Sequence, residues 1–71
     1  MKESDLLKLF GLRLRNGRQS ANLTQEQLHL ATRITTSFIG GIESGKNNCS
    51  LRVANTLANA VGLRLADMLR P

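Results

Sequence analysis

Residues 23–45 read LTQEQLHLATRITTSFIGGIESG, and this stretch decides the fold because it holds two helix starts separated by one short connection. Thr24 is placed to cap a helix. Gln27, three residues on, can reach back to it, and the reciprocal pair satisfies two of the free backbone N–H groups of a helix start. Leu23 and Leu28 stand where an apolar staple fixes the angle at which the chain enters that helix. A second start follows at Thr35, whose hydroxyl can accept from the free N–H groups, with Ile34 and Ile39 as the second staple. Phe38, Ile39 and Ile42 then share one apolar helical face. The pattern predicts one helix over about Gln25–Thr32 and another over about Thr36–Ser44, with two or three residues between them. So short a connection forces a steep crossing, and two such helices cannot make a core alone.

The remainder of the chain must therefore support this pair. With 71 residues it is expected to form a single domain, residues 1–71, and a chain of this size buries only about 60% of the surface its unfolded form exposes. Ten Lys plus Arg against five Asp plus Glu give a net charge of +5, a balance that favours a polyanion such as nucleic acid or an acidic surface. Charge alone does not choose between them. The single cysteine, Cys49, excludes an internal disulfide, and no apolar run approaches the roughly 18 residues of a membrane span. No signal-peptide core follows the short charged N-terminus, so a cytoplasmic chain is expected, and the acceptor-like triplets at Asn22 and Asn48 are then chance matches.

Upstream of the pair, Leu6, Phe10, Leu14, Gly17 and Ala21 recur at helical spacing after a cap at Ser4 or Asp5. Gly17 costs about 1 kcal/mol against Ala and suggests that another helix passes close by. Lys8, Arg13, Arg15 and Arg18 form the opposite face, to be read either as solvated charge or, for Arg13 or Arg15, as phosphate contacts. Downstream, Ser44–Asn48 is a Gly- and Asn-rich turn. Ser50 caps a fourth helix with Ala54, Leu57, Ala58 and Val61 as its apolar stripe and Gly62 as a left-handed stop. Leu65, Met68 and Leu69 make a last short helix begun at Arg64. No linker, repeat or second domain follows, which leaves no room for an effector domain.

The pattern resembles the phage-repressor and Cro-like helix-turn-helix regulators, a family that includes small restriction-modification controller proteins and antitoxins. The match runs through Leu23-Thr24-Gln25-Glu26, Ile34, and Phe38-Ile39-Gly40-Gly41-Ile42-Glu43-Ser44-Gly45. It extends back through Gly11–Arg15 and Arg18, and forward through Asn48, Ser50-Leu51, Leu57-Ala58, Val61-Gly62 and Asp67-Met68-Leu69. The resemblance implies an all-α fold: a compact five-helix lambda-repressor-like DNA-binding domain whose second and third helices form the helix-turn-helix.

It also implies a site. Thr35, Thr36 and Ser37 would present short hydroxyl side chains to base edges in a major groove roughly 12 Å wide, and Gly41 falls where the family often places a base reader. Bare backbone would then approach the bases there, with DNA shape contributing to specificity. Gln25 would fix a phosphate at the positive end of its helix. Ser44, Lys46, Asn47 and Asn48 resemble the loop that grips the DNA backbone, although Asn47 and Asn48 also suit an ordinary helix cap. Arg15 would be a further phosphate contact. Arg18 would pair with Glu43 and hold the reading helix in place. Arg33 replaces the family's usual glycine in the turn, so it must accept a positive φ or shift the turn, and its charge is either a phosphate or base contact or merely solvated. His29 replaces a small alanine between the two helices and reads as a packing residue rather than a pH sensor or metal ligand. Cys49 stands at the family's frequent proline and reads as inert, a small hydrophobe.

One such module reads few bases, so a homodimer on a pseudo-palindromic operator is expected, with Leu63, Leu65, Met68 and Leu69 either forming its interface or finishing the monomer core. The expected partner is double-stranded DNA, with an antitoxin or other protein-interaction module that also binds its own operator as the alternative. Single-stranded RNA binding lacks a stacking platform, since the chain has no Tyr or Trp and one of its two Phe is committed to the core. An enzyme lacks material: one His, one Cys and five unpaired carboxylates. No cofactor, metal, membrane or small-molecule ligand is expected.

Overall fold

Capping decides where the helices begin. Thr24 Oγ1 accepts from the Gln27 N–H at 3.0 Å while Gln27 Oε1 accepts from the Thr24 N–H at 2.9 Å. Thr35 Oγ1 accepts from Phe38 N–H at 3.1 Å, and Ser50 Oγ accepts from Val53 N–H at 3.1 Å. The computed structural model, which describes all residues from Met1 to Pro71, accordingly has five helices and no strand: α1 Glu3–Ser20, α2 Gln25–Thr32, α3 Thr36–Glu43, α4 Leu51–Ala60 and α5 Leu65–Met68. The expected bounds of α2 are met. α3 ends one residue early, with Ser44 as its cap. α1 begins at Glu3, ahead of the expected caps, which lie inside its first turn.

Two helices end in the same way. After α4, Gly62 takes φ 79°, and its N–H reaches the Asn59 carbonyl at 3.0 Å while the Leu63 N–H reaches Ala58 at 2.9 Å. After α1, Asn22 takes φ 59° with the same pair of bonds, from its own N–H to Gln19 and from Leu23 N–H to Arg18. Asn tolerates the left-handed region better than most side chains do, and this stop was not foreseen.

Phe10 and Leu14 of α1, Leu28 of α2, Ile39 and Ile42 of α3, and Ala54, Leu57, Ala58, Val61 and Met68 form one buried cluster. The expected stripe on α1 is narrower than its sequence suggests, since Leu6 is 39% exposed and Ala21 lies on the surface. The tightest helix crossing is at Gly11 rather than Gly17. A Cβ on Gly11 would overlap the Ile42 carbonyl oxygen and lie 2.9 Å from that of Glu43, so α1 touches the backbone of α3. Gly17 instead faces the Val61 and Leu63 side chains of the α4–α5 connection. Met68 is only 1% exposed, which removes it from the expected dimer surface because it finishes the core of its own chain. Leu65 and Leu69 pack half-buried against that core, and Leu63 keeps 36% of its surface.

Candidate nucleic-acid interface

α3 is held by its inner face, with Ile39 and Ile42 buried and Phe38 packed half-buried against the core. Its leading end is therefore turned outward: Thr35 and Ser37 are exposed and Thr36 is half-buried. The three residues at this end, Thr35, Thr36 and Ser37, carry only short hydroxyl side chains, and the nearest long one belongs to the exposed Arg33 before them.

The two glycines of α3 differ. A Cβ on Gly40 would make ordinary contact with the Gln25 amide at 3.7 Å. One on Gly41 would collide with the Asn47 carboxamide. The bare backbone expected at Gly41 is thus covered by a side chain from the following loop, and Asn47 lies folded over α3 rather than extended from the turn. The Gly41 carbonyl gathers that loop, accepting from Lys46 N–H at 2.9 Å, Asn47 N–H at 3.0 Å and Ser44 Oγ at 3.1 Å. Gly45, at φ 77°, packs against Lys8. Asn48 Oδ1 accepts from Cys49 N–H at 2.8 Å, and the side chains of Ser44, Lys46 and Asn48 remain exposed.

Behind α3 the cations of α1 part company, and the single basic face expected from sequence does not exist. Arg18 turns inward and is 9% exposed. Its guanidinium donates to both carboxylate oxygens of Glu43, at 2.7 and 3.0 Å, and to the Leu23 carbonyl at 2.8 Å. The hydrogen bonds to Glu43 push the Arg18 pKa up, and the attraction of the carboxylate adds to them against the opposing cost of burial. Gln25 completes the arrangement, its Nε2 donating to Glu43 Oε1 at 3.2 Å. One carboxylate therefore joins the ends of α1, α2 and α3. Arg13 points elsewhere: its Nη1 donates to the Asp67 carbonyl of α5 at 2.9 Å, which ties it to the helical support and not to the outer face. Arg15 stays exposed and, with Arg18, Gln25, Gly40, Glu43 and Ser44, lines a depression of about 270 Å³ that no hydrophobic residue enters.

Gln25, Arg15 and Ser44 lie apart in sequence, and the fold puts them around one hollow beside α3. Lys8, Arg15, Arg33 and Lys46 form no ion pair, whereas Arg64 and Arg70 are drawn to Asp67. The connection into α3 accepts the strain foreseen for it: Arg33 takes φ 65° and ψ 10°, with its N–H on the His29 carbonyl at 2.6 Å and its side chain exposed. His29 does more than pack. Its Nδ1 lies 2.9 Å from the Ile34 carbonyl oxygen. Cys49 is half-buried, and burial pushes its thiol up. His, Cys, Asp and Glu nowhere gather into a group able to hold a metal ion, and no helix is long and apolar enough to cross a membrane.

A family model described as a helix-turn-helix domain matches residues 9–70. The fold is similar to that of the clp gene regulator ClgR from Corynebacterium glutamicum, with a TM-score of 0.85 and 26% identity over 90% of this chain and 68% of that one. It is also similar to the restriction-modification controller protein C.AhdI from Aeromonas hydrophila, with a TM-score of 0.78 and 36% identity over 87% of this chain and 94% of that one. The controller protein C.Esp1396I, solved as a tetramer in complex with its natural 35 base-pair operator, shares the fold at a TM-score of 0.80 and 21% identity, over 90% and 88% of the two chains. No curated protein sequence matches the chain.

Proposed function

The chain belongs to the helix-turn-helix domain family, and on that premise we propose that it is a sequence-specific transcriptional regulator that lays α3 in the major groove of double-stranded DNA. It is not an enzyme. The observation that carries the reading is the outward-turned front end of α3, where Thr35 and Ser37 are exposed, with a hollow lined by Gly40, Glu43 and Ser44 farther along the same helix and Arg15, Arg33 and Lys46 left without ion pairs. Thr35, Thr36 and Ser37 meet base edges. Asn47, standing where a side chain on Gly41 would be, supplies the polar group at that point of the helix.

Gln25, Arg15, Ser44, Lys46 and Asn48 hold phosphates on the two sides of α3, and Arg33 adds a cation at its leading end. The Arg18–Glu43 pair carries no sequence information and holds the reading helix to α1. Two modules reading a pseudo-palindromic site are the working unit, in the cytoplasm. Leu63, Leu65 and Leu69 remain available for self-association, together with the apolar groove that Leu69 lines with Leu6, Phe10 and Leu51. Acidic residues of α1, Glu3 and Asp5, precede that groove in sequence and Arg52 follows Leu51. A second copy turned by a half-rotation could therefore oppose unlike charges.

Selection of bound sequences from a random duplex pool, followed by salt titration on the winner and on a scrambled duplex, tests the reading. A symmetric preferred site is expected, with log K falling linearly against log salt and a slope reporting several neutralised phosphates. Absence of enrichment, or association insensitive to salt, would count against DNA as the partner.

A further inference from the structure

The connection between α2 and α3 is Arg33, Ile34 and Thr35, and it must fix the angle at which α3 is offered to DNA. Its backbone is strained, because Arg33 carries a side chain at φ 65°, in the left-handed region. Thr35 is already committed as the cap of α3. Ile34 is the middle residue of the connection, and neither of its backbone polar groups pairs with backbone. Both are taken by side chains of α2. The Ile34 N–H donates to Thr32 Oγ1 at 3.2 Å, while that hydroxyl donates in turn to the Leu28 carbonyl at 2.8 Å. The Ile34 carbonyl faces His29 Nδ1 at 2.9 Å.

Resting on the reading of α3 as the DNA-reading helix, we infer that His29 is a positioning residue: its Nδ1–H holds the Ile34 carbonyl and thereby sets the tilt of α3, and through it the discrimination between DNA sequences. A carbonyl oxygen only accepts, so the ring hydrogen sits on Nδ1. The ring spans from the middle of α2 to the residue before the cap of α3, a reach that a short side chain at this position lacks. His29 touches no DNA in this scheme. Its effect is confined to base-edge contacts, which depend on angle, and leaves phosphate contacts, which tolerate small displacements, largely as they were.

Two measurements test this. In the free protein, ring-nitrogen NMR reports which nitrogen of His29 is protonated. A proton on Nδ1 is expected, and a neutral ring protonated at Nε2 overturns the link whether or not DNA binds. Separately, His29→Leu keeps bulk and loses the donor, whereas His29→Asn keeps an N–H donor at the place of Nδ1. Each is compared with the parent for affinity to the selected duplex and to a scrambled one, after circular dichroism establishes that it is folded. His29→Leu should lower the ratio of the two affinities by about tenfold with scrambled binding and salt slope unchanged, and His29→Asn should hold the ratio within about threefold. Equal losses in both variants, or an unchanged ratio in His29→Leu, overturn the inference. Should the parent protein itself show no preference between the duplexes, the DNA-reading assignment fails instead, while the nitrogen measurement still decides the link.

Discussion

Removing one partner of the Arg18–Glu43 pair should cost far more than removing both. The side chains of the two residues are 11% and 5% exposed, so each charge has given up most of its water. In Arg18→Met the Glu43 carboxylate keeps only the Gln25 amide at 3.2 Å; in Glu43→Leu the guanidinium keeps only the Leu23 carbonyl at 2.8 Å. Leaving one ion buried and unpaired costs about 3–5 kcal/mol. A domain of this length has roughly 4–10 kcal/mol of total stability, so either single variant loses a third of it or more. The double variant leaves no unpaired ion and should fall only about 1 kcal/mol below the parent, because apolar replacements of similar volume restore packing without the desolvation cost. Urea unfolding followed by helical circular dichroism gives all four corners of the cycle, and a coupling of several kcal/mol is expected. Additive losses, or single losses below about 1 kcal/mol, would refute the claim that this pair is effectively buried. The double variant carries a second expectation: with the carboxylate gone Gln25 loses its anchor, so the protein stays folded yet binds DNA more weakly.

The remaining predictions concern the interface and the lone thiol. Gln25→Ala should weaken binding to all duplexes alike, whereas Ser37→Ala should relax preference at one base position by about 1 kcal/mol, as competition with single-base variants of the selected site will show. Arg33→Gly removes the cost of φ 65° and should raise stability by roughly 0.5–1 kcal/mol while reducing the magnitude of the salt slope by about 1, the first read by thermal unfolding and the second by salt titration. Burial pushes the Cys49 thiol up, so the folded chain keeps its proton at alkaline pH where the unfolded chain has lost it. Stability should therefore decline as pH rises through that range, and Cys49→Ala should remove that part of the decline. Alkylation at about pH 8 should be slower in the folded protein than in urea.

Features governed by residues three or four apart were legible in the sequence. The Thr24–Gln27 box and the Thr35 cap place α2 and α3, because capping is satisfied within one turn of chain. The apolar stripe of α4 and the stop at Gly62 were legible for the same reason. What was lost depended on residues distant in sequence. Gly17 drew attention because it stands inside a helical pattern, but the crossing that needs a bare Cα is at Gly11, and only the placement of α3 shows it. Gly41 looked like open backbone because nothing near it in sequence says that Asn47 folds over it. Arg13 and Arg15 are both read as cations of one face, and two residues of helical rotation send the first to α5 and leave the second beside α3. Met68 was ambiguous between core and interface until burial resolved it. His29 carried a weak signal: a residue able to donate, five positions before Ile34 and next to a strained turn. Read with Arg33 in view, its link to the turn was within reach.

The account stands on α3 being the part of the molecule that meets the duplex. Backbone amide NMR of the protein titrated with the selected duplex tests this most directly. The largest changes are predicted at Thr35–Ser37, with a second group at Gln25 and at Ser44–Asn48, while Met68 and the buried face of α4 stay still. Changes centred on Leu6, Leu51 and Leu69, with the front end of α3 unmoved, would contradict it.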